Sequence, residues 1–527
     1  MTKTLRTLLT VLTLTLLSSA TAFSYVHQQT RSQQSLRWAE AVVTFVIQSD
    51  GAPGVSNGSD TSAVREGFAA WGSTERFLEL REDTDSAQRA RTDWRSDDVH
   101  MVVWDETNES GFFGGGSGLI AVTPVDFDPA TGEILDADVI LDGSRNWSTT
   151  LNAGSFDVQA VVTHEVGHFL GLDHSAVHRA TMNPAVLPGD TWQRSLETDD
   201  QAGADSLYAL HTGASLSGTV ISADGTPISG AHVVAERRGS PVAAGLSDSE
   251  GRYRIQGLPA GVYVVYAEPL NGSVTSAHLQ LQNSGQTIDS DFGTTFWGPN
   301  GSSSPRVPSE LSLAAGSERA LSPLQTEAGT PMRITRSRTP WLRPGPLAQH
   351  ASISGSALSH ADTVLIPGNG LQLLSSRVGI STVTMEILVE PQAELGLRSV
   401  RLIRDRDDAC VVLTGGFEVR LAAPTVTGVT PRSATPGTRV EVSGGNFQAG
   451  AKVFVGPSVS ALTLLAADRG SFVLPAIPSG TYDLVVQSPD GQVTRLANGL
   501  QVTGGSALVA APLEPATAPP SLGDGSG

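Results

Sequence analysis

The sequence predicts a multidomain chain, with an α+β domain in its first 211 residues and β-sandwich domains after it. Three observations lead there. The chain has 527 residues, more than one hydrophobic core usually holds. Its 56 Gly and 30 Pro favour turn-rich β structure over long helices. Strand and helix patterns alternate up to Leu210, whereas beyond it only short β-branched runs occur, broken by Gly, Pro and Asp.

The net charge of −19 argues against nucleic acid or an anionic membrane surface as partner. Residues 1–22 read as a secretory signal, with Lys3 and Arg6, an apolar run from Leu8 to Leu17, and the small-residue site Ala20-Thr21-Ala22. That run is too short to anchor in a bilayer, and no later stretch is long and apolar enough to span one. The expected location is therefore secreted and extracellular. The single cysteine, Cys410, has no partner for an internal disulfide.

The α+β domain is expected over 35–211. Ala41–Gln48 is β-branched and apolar and reads as a first strand. A helix capped by Ser59 or Asp60 should follow to Trp71, with Val64, Phe68 and Trp71 on its buried face. Asp97–Trp104, Leu119–Val125 and Asp136–Asp142 read as further strands. The Gly-rich Phe112–Gly118 lacks a following Lys-Ser/Thr and reads as a flexible loop, not a phosphate cradle. The acidic loop Asp126–Asp138 could hold Ca²⁺ through Asp126 and Asp128, with a solvated turn as the alternative.

The chemistry concentrates in HEVGHFLGLDH, His164 to His174. His164 and His168 stand four residues apart, so on a helix they lie about 40° apart on one face, one turn up. One Zn²⁺ can bind both. Glu165 can serve as general base without ligating the metal. Gly171 sits where the helix must stop, because glycine alone turns left-handed at no steric cost. The chain can then bring His174 to the same ion, and three neutral histidines leave a position open for chemistry. His100, His178 and His211 lack ligand spacing and read as surface or supporting residues.

HExxHxxGxxH followed by a methionine turn resembles the metzincin zinc endopeptidases. With Ser175 after the third histidine, the motif is similar to the matrixin (matrix metalloproteinase-like) family. The resemblance implies a twisted mixed sheet with the active-site helix beneath it and Met182 as an apolar floor under the metal. It also implies a sheet edge near Ile120 and Ala121 to which substrate adds as a strand, and residues 183–189 as a pocket wall. Leu196–Leu210 is similar to the closing helix of that family, with Asp199 or Asp200 as its cap. Two departures stand out. Val122 and Asp138 occupy places where the family's structural-zinc histidines would stand, so one catalytic zinc is expected. No cysteine precedes the domain to block the metal.

Residues 214–292 resemble the carboxypeptidase-regulatory-like sandwich through Gly218, Pro227, Gly251, Tyr253, Pro259 and Tyr263. Residues 297–340 read as a Gly/Ser/Pro linker with a strand near Glu310–Ala314, residues 350–419 as an immunoglobulin-like sandwich, and 424–503 resemble an IPT/TIG domain. The tail 504–527 lacks a core and should be disordered. The implied function is a secreted zinc metalloendopeptidase acting on proteins or peptides, with accessory sandwiches that could bind polysaccharide or protein surfaces. The alternative is an adhesion protein with a vestigial protease domain. On this reading the fragment Ser35–His211 holds every candidate ligand and a core of its own.

Overall fold

The computed structural model describes residues 27–505, except 73–75, 95–96, 115–117, 210–212, 273, 280–286 and 339–340. Residues 1–22, expected from sequence to be a secretory signal, the tail beyond 505, Gly115–Ser117 of the Gly-rich loop, and His211 lie outside the described residues.

Strands β1 (Val42–Ile47), β2 (Glu79–Asp83), β3 (Met101–Asp105), β4 (Ala121–Val122), β5 (Val125–Phe127), β6 (Ile134–Ala137) and β7 (Val139–Asp142) belong to the N-terminal domain. Its helices are α1 (Ser59–Ala70), α2 (Ser86–Arg89), α3 (Val158–Phe169) and α4 (Thr198–Tyr208). The main sheet has the order β2-β1-β3-β7-β4. Its ladders are parallel except β4–β7, which is antiparallel and places β4 at the edge. β5 and β6 form a separate hairpin.

All twelve residues of α3 are buried, so the histidine helix runs through the core and not along the surface. It packs on α1, where Gly67 admits Val162; a Cβ at 67 would come within 2.7 Å of Val162 Cγ1. Val64, Phe68, Trp71, Val158, Val162, Val166 and Phe169 share one core with the inward residues of the sheet. Two helix caps differ from expectation. Gly58, not Ser59 or Asp60, precedes α1, and the buried Asp60 carboxylate instead accepts from the Ala52 amide at 2.7 Å. Glu197 takes the N-cap of α4; Asp200 completes its capping box by accepting from the Glu197 amide (3.0 Å), while Asp199 takes no part in the cap.

Beyond 213 the chain is β-rich. The second domain has two sheets, the third pairs two four-stranded sheets over one core, and the fourth pairs a four- and a five-stranded sheet. Residues 297–340 are not a free linker. Leu311–Leu313 pairs with Gly261–Glu268, and Glu318–Ala320 and Leu324–Thr326 pair in parallel with Ala214–Ser222. Their leucines 311, 313, 321 and 324 are buried in the second domain's core. The Gly, Ser and Pro of this stretch supply the turns between strands too short to show a period. Arg333–Ser337 already belongs to the third domain, paired with Gln349–Ser356.

The first three domains meet at one loop. Val177 and Ala180, between the third histidine and Met182, are fully buried against Val234, Ala244 and Tyr266 of the second domain and Leu397, Cys410 and Val412 of the third. His178 is buried there as well; its amide donates to Thr414 O (2.9 Å) and its Nε2 accepts from the Ser337 amide (3.2 Å). It is therefore an interdomain residue, not a surface one. The fourth domain meets the first through Arg194 Nη1, which donates to Gln487 Oε1 at 3.0 Å.

Candidate metal centre

The start of α3 is fixed by Asp157, whose Oδ1 accepts from the Ala160 amide (2.9 Å) while the same carboxylate pairs with the buried Arg194 (2.6 Å). Its far end is held by the Trp38 indole, which donates to Phe169 O (2.8 Å), and by the Tyr208 hydroxyl, which donates to Leu170 O (2.7 Å). Gly171 then adopts φ +89°, and a Cβ there would lie 2.2 Å from Leu36 O. Both constraints demand glycine, and the chain reverses toward His174.

The three histidines converge, with one ring nitrogen from each within 4.8 Å of the others. Each Nδ1 faces a backbone carbonyl: His164 that of Thr181 (2.7 Å), His168 that of Leu172 (2.9 Å), and His174 that of His278 (2.5 Å). A carbonyl only accepts, so each Nδ1 carries the proton and each neutral ring presents an unprotonated Nε2. Burial, followed by the neighbouring histidines, pushes all three down to about 3, which keeps the rings neutral. His168 Nε2 and His174 Nε2 then stand 3.3 Å apart with lone pairs facing each other. That contact is repulsive unless a cation sits between them. Two nitrogens bound tetrahedrally to zinc at about 2.05 Å are about 3.3 Å apart. The donor set fits zinc.

Glu165 is buried beside the triad, and burial raises its carboxyl to about 7. Thr123, one residue past the edge strand β4, donates its hydroxyl to Glu165 Oε2 at 2.7 Å. Ile120 and Ala121 lie on the approach to and start of β4; Ile120 O accepts from the Asp142 amide (2.9 Å), and Ala121 pairs with Leu141. The edge strand thus leads directly to the residue that orients Glu165.

Met182 is buried beneath α3, and a Cβ on Gly167 would meet its sulfur at 2.1 Å. Asp200 holds the methionine turn by accepting from the amides of Thr181 (2.7 Å) and Met182 (2.9 Å). Gln193 Nε2 donates to Thr181 O (2.8 Å) and Asn183 O (3.0 Å). Asp199 accepts from Ser175 Oγ (2.6 Å) and from the Ala244 amide of the second domain (2.9 Å). Thr123, Gly167, Gln193 and Asp200 were not singled out from sequence as site residues. The glycine inside the histidine motif was the one local signal for any of them.

Asp126 and Asp128 lie apart from the triad. Asp126 is exposed, and Asp128 Oδ1 accepts from the amides of Ala130 (2.7 Å) and Thr131 (3.3 Å), capping the β5–β6 turn. These are the contacts of the solvated-turn reading. Among the described residues, the triad is the one group of three or more His, Cys, Asp or Glu gathered closely enough to share a metal. Asp138 does not face a metal cluster; its Oδ1 accepts from the Met101 amide (2.8 Å), and His100 pairs with Asp136 (2.7 Å).

Residues 37–209 match the matrixin family description. They form a matrixin domain. Residues 215–292 match the carboxypeptidase regulatory-like domain and 424–502 the IPT/TIG domain. Karilysin from Tannerella forsythia is 26% identical over 179 residues, 33% of this chain and 34% of that protein. Human neutrophil collagenase is 25% identical over 175 residues, 33% of this chain and 34% of that one. Metalloendoproteinase 4-MMP of Arabidopsis thaliana is 30% identical over 127 residues, 22% of this chain and 35% of its own. The chain thus spans about a third of the length of these relatives. Among solved structures, the surface glycan-binding protein PbSGBP-B from Prevotella bryantii aligns at 18% identity, covering 30% of this chain and 37% of that one, with a TM-score of 0.20. Among the described residues, no helix of the matrixin domain or of the sandwiches is long and apolar enough to cross a membrane.

Proposed function

We propose that the protein is a secreted zinc metalloendopeptidase. His164, His168 and His174 hold one zinc, and Glu165 is the general base. The observation that carries this reading is the pair of unprotonated Nε2 atoms 3.3 Å apart beside a buried carboxylate. A bound zinc supplies Lewis acidity, which acidifies a water and polarises a peptide carbonyl. Glu165 accepts the water's proton and returns it to the leaving amine. Thr123 holds one carboxylate oxygen, leaving the other for the proton. Met182 closes the floor of the site with an apolar side chain that is not a ligand.

Substrate adds to the outer edge of β4 as an extended strand near Ile120 and Ala121, because β4 pairs with β7 on one side and ends the sheet order on the other. Residues 183–189 wall the pocket for the side chain after the cut bond. Proteins or peptides outside the cell are the substrate class, and the sandwiches supply surfaces for a protein or polysaccharide partner. The test is a library of unstructured peptides offered to the full chain. Cleavage that a chelator abolishes and added zinc restores is expected. A folded, zinc-loaded chain that cuts nothing in the library refutes the enzyme reading in favour of a binding protein.

A further inference from the structure

Two of the three histidines are oriented by the matrixin domain itself, through Thr181 O and Leu172 O. The third is not. The acceptor for His174 Nδ1 is the carbonyl of His278, 104 residues later and in the second domain. The turn that carries it, Thr275–Leu279, is built for a fixed carbonyl. The amide and hydroxyl of Thr275 both lie 3.0 Å from His278 Nδ1, closing a capping box over the Ser276–His278 turn. Leu279, 2% exposed, anchors the turn in an apolar cluster with Val274, Leu246 and Ala176, the last being two residues past the third ligand. A second, independent tie runs alongside: Ser175 Oγ donates to Asp199, and the same carboxylate accepts from Ala244 of the second domain.

We propose that the second domain is part of the metal centre, its Thr275–Leu279 turn being a positioning element that holds His174 in the tautomer and orientation that binds zinc. The inference rests on the reading of the triad as a zinc site. The physical reason is general: the partner of a ligating histidine's other nitrogen fixes the ring and its basicity, and losing it typically weakens metal binding about 10- to 100-fold. Here that partner is supplied across a domain interface. The accessory domain is thus coupled to zinc affinity and is not a tethered passenger.

The test uses the full chain. Zinc affinity is measured by chelator competition and ligand geometry by the visible spectrum of the cobalt-substituted protein. Thr275 and His278 are exposed, so Thr275→Gly/His278→Gly loosens the turn without touching the sandwich core. It should weaken zinc about 10- to 100-fold and alter the cobalt bands while the thermal transition of the sandwiches stays in place. Leu279→Ala should act in the same direction. His278→Asn keeps an acceptor for the Thr275 amide and should bind zinc like the wild type, which separates the carbonyl's role from that of the imidazole. Should Leu279→Ala unfold the second domain, the glycine pair decides. Glycine variants with wild-type affinity and spectrum overturn the proposal, as does higher activity at unchanged affinity, which would make the turn a mere cover. A wild type that holds no zinc at the triad would instead sink the parent reading.

Discussion

At the scale of single residues, the site depends on side chains whose proton positions are dictated by what surrounds them. Glu165 is the clearest case, being buried, raised to about 7, and steadied by one hydroxyl. Thr123→Val keeps the shape and removes that bond. It should lower kcat about tenfold, the worth of about one buried hydrogen bond, with zinc content unchanged. Peptide turnover and metal analysis on the same preparation check it. Asp138 makes a different prediction. Burial first, then the carboxylates of Asp136 and Asp97, raise it from 3.8 to about 7. A raised acid binds more protons folded than unfolded, so the wild type loses stability as pH rises between about 4 and 7. Asp138→Asn keeps an acceptor for the Met101 amide but carries no charge to bury. Thermal melts should show it more stable than the wild type above pH 8, by about 4 kcal/mol, and equal to it well below pH 4. A difference independent of pH would contradict the assignment.

At the scale of elements, the motif His164–His174 was legible because its information is local. Four residues on a helix turn, and a glycine at the turn's end, state their geometry in eleven consecutive letters. What was not legible came from far along the chain. Thr123 reaches Glu165 across 42 residues, and His278 reaches His174 across 104, with no spacing rule to join them. Asp199 and Asp200 read as helix caps, since aspartates in a first turn usually serve there. Glu197 takes the N-cap, Asp200 accepts from its amide and also holds the methionine turn, and Asp199 ties to the second domain. The 297–340 stretch misled through composition, because three-residue strands are too short to show alternation. Helix α3 yields the element-scale prediction. Gly167→Ala drives a methyl into the Met182 sulfur, so it should cost about 1–3 kcal/mol and weaken zinc binding as the floor shifts. Chemical denaturation alongside chelator competition tests both halves, and an unperturbed variant would show that the methionine does not press on the helix.

At the scale of the whole molecule, the loop from Ser175 to Thr181 is the hub on which three domains meet. That changes the outlook for the isolated matrixin domain. Its core is its own, but freeing it exposes Ala176, Val177 and Ala180 and removes the acceptor of His174. The fragment Ser35–His211 should therefore fold yet bind zinc more weakly than the full chain, which chelator competition on both would read. Cys410 lies in the same junction, 2% exposed and pushed up to about 12 by burial, so thiol reagents should leave the native protein unmodified and its activity unchanged. Mass spectrometry after exposure to a thiol reagent checks this. The central claim is that three neutral histidines hold one zinc while Glu165 works beside it without being a ligand. Zinc content and peptide turnover, read together on dialysed full-length wild type and Glu165→Gln, test it most directly. The account predicts one zinc per chain in both proteins and a loss of about three orders of magnitude in turnover in the variant alone. A variant that loses its zinc along with its activity, or one that keeps zinc and cleaves like the wild type, would contradict it.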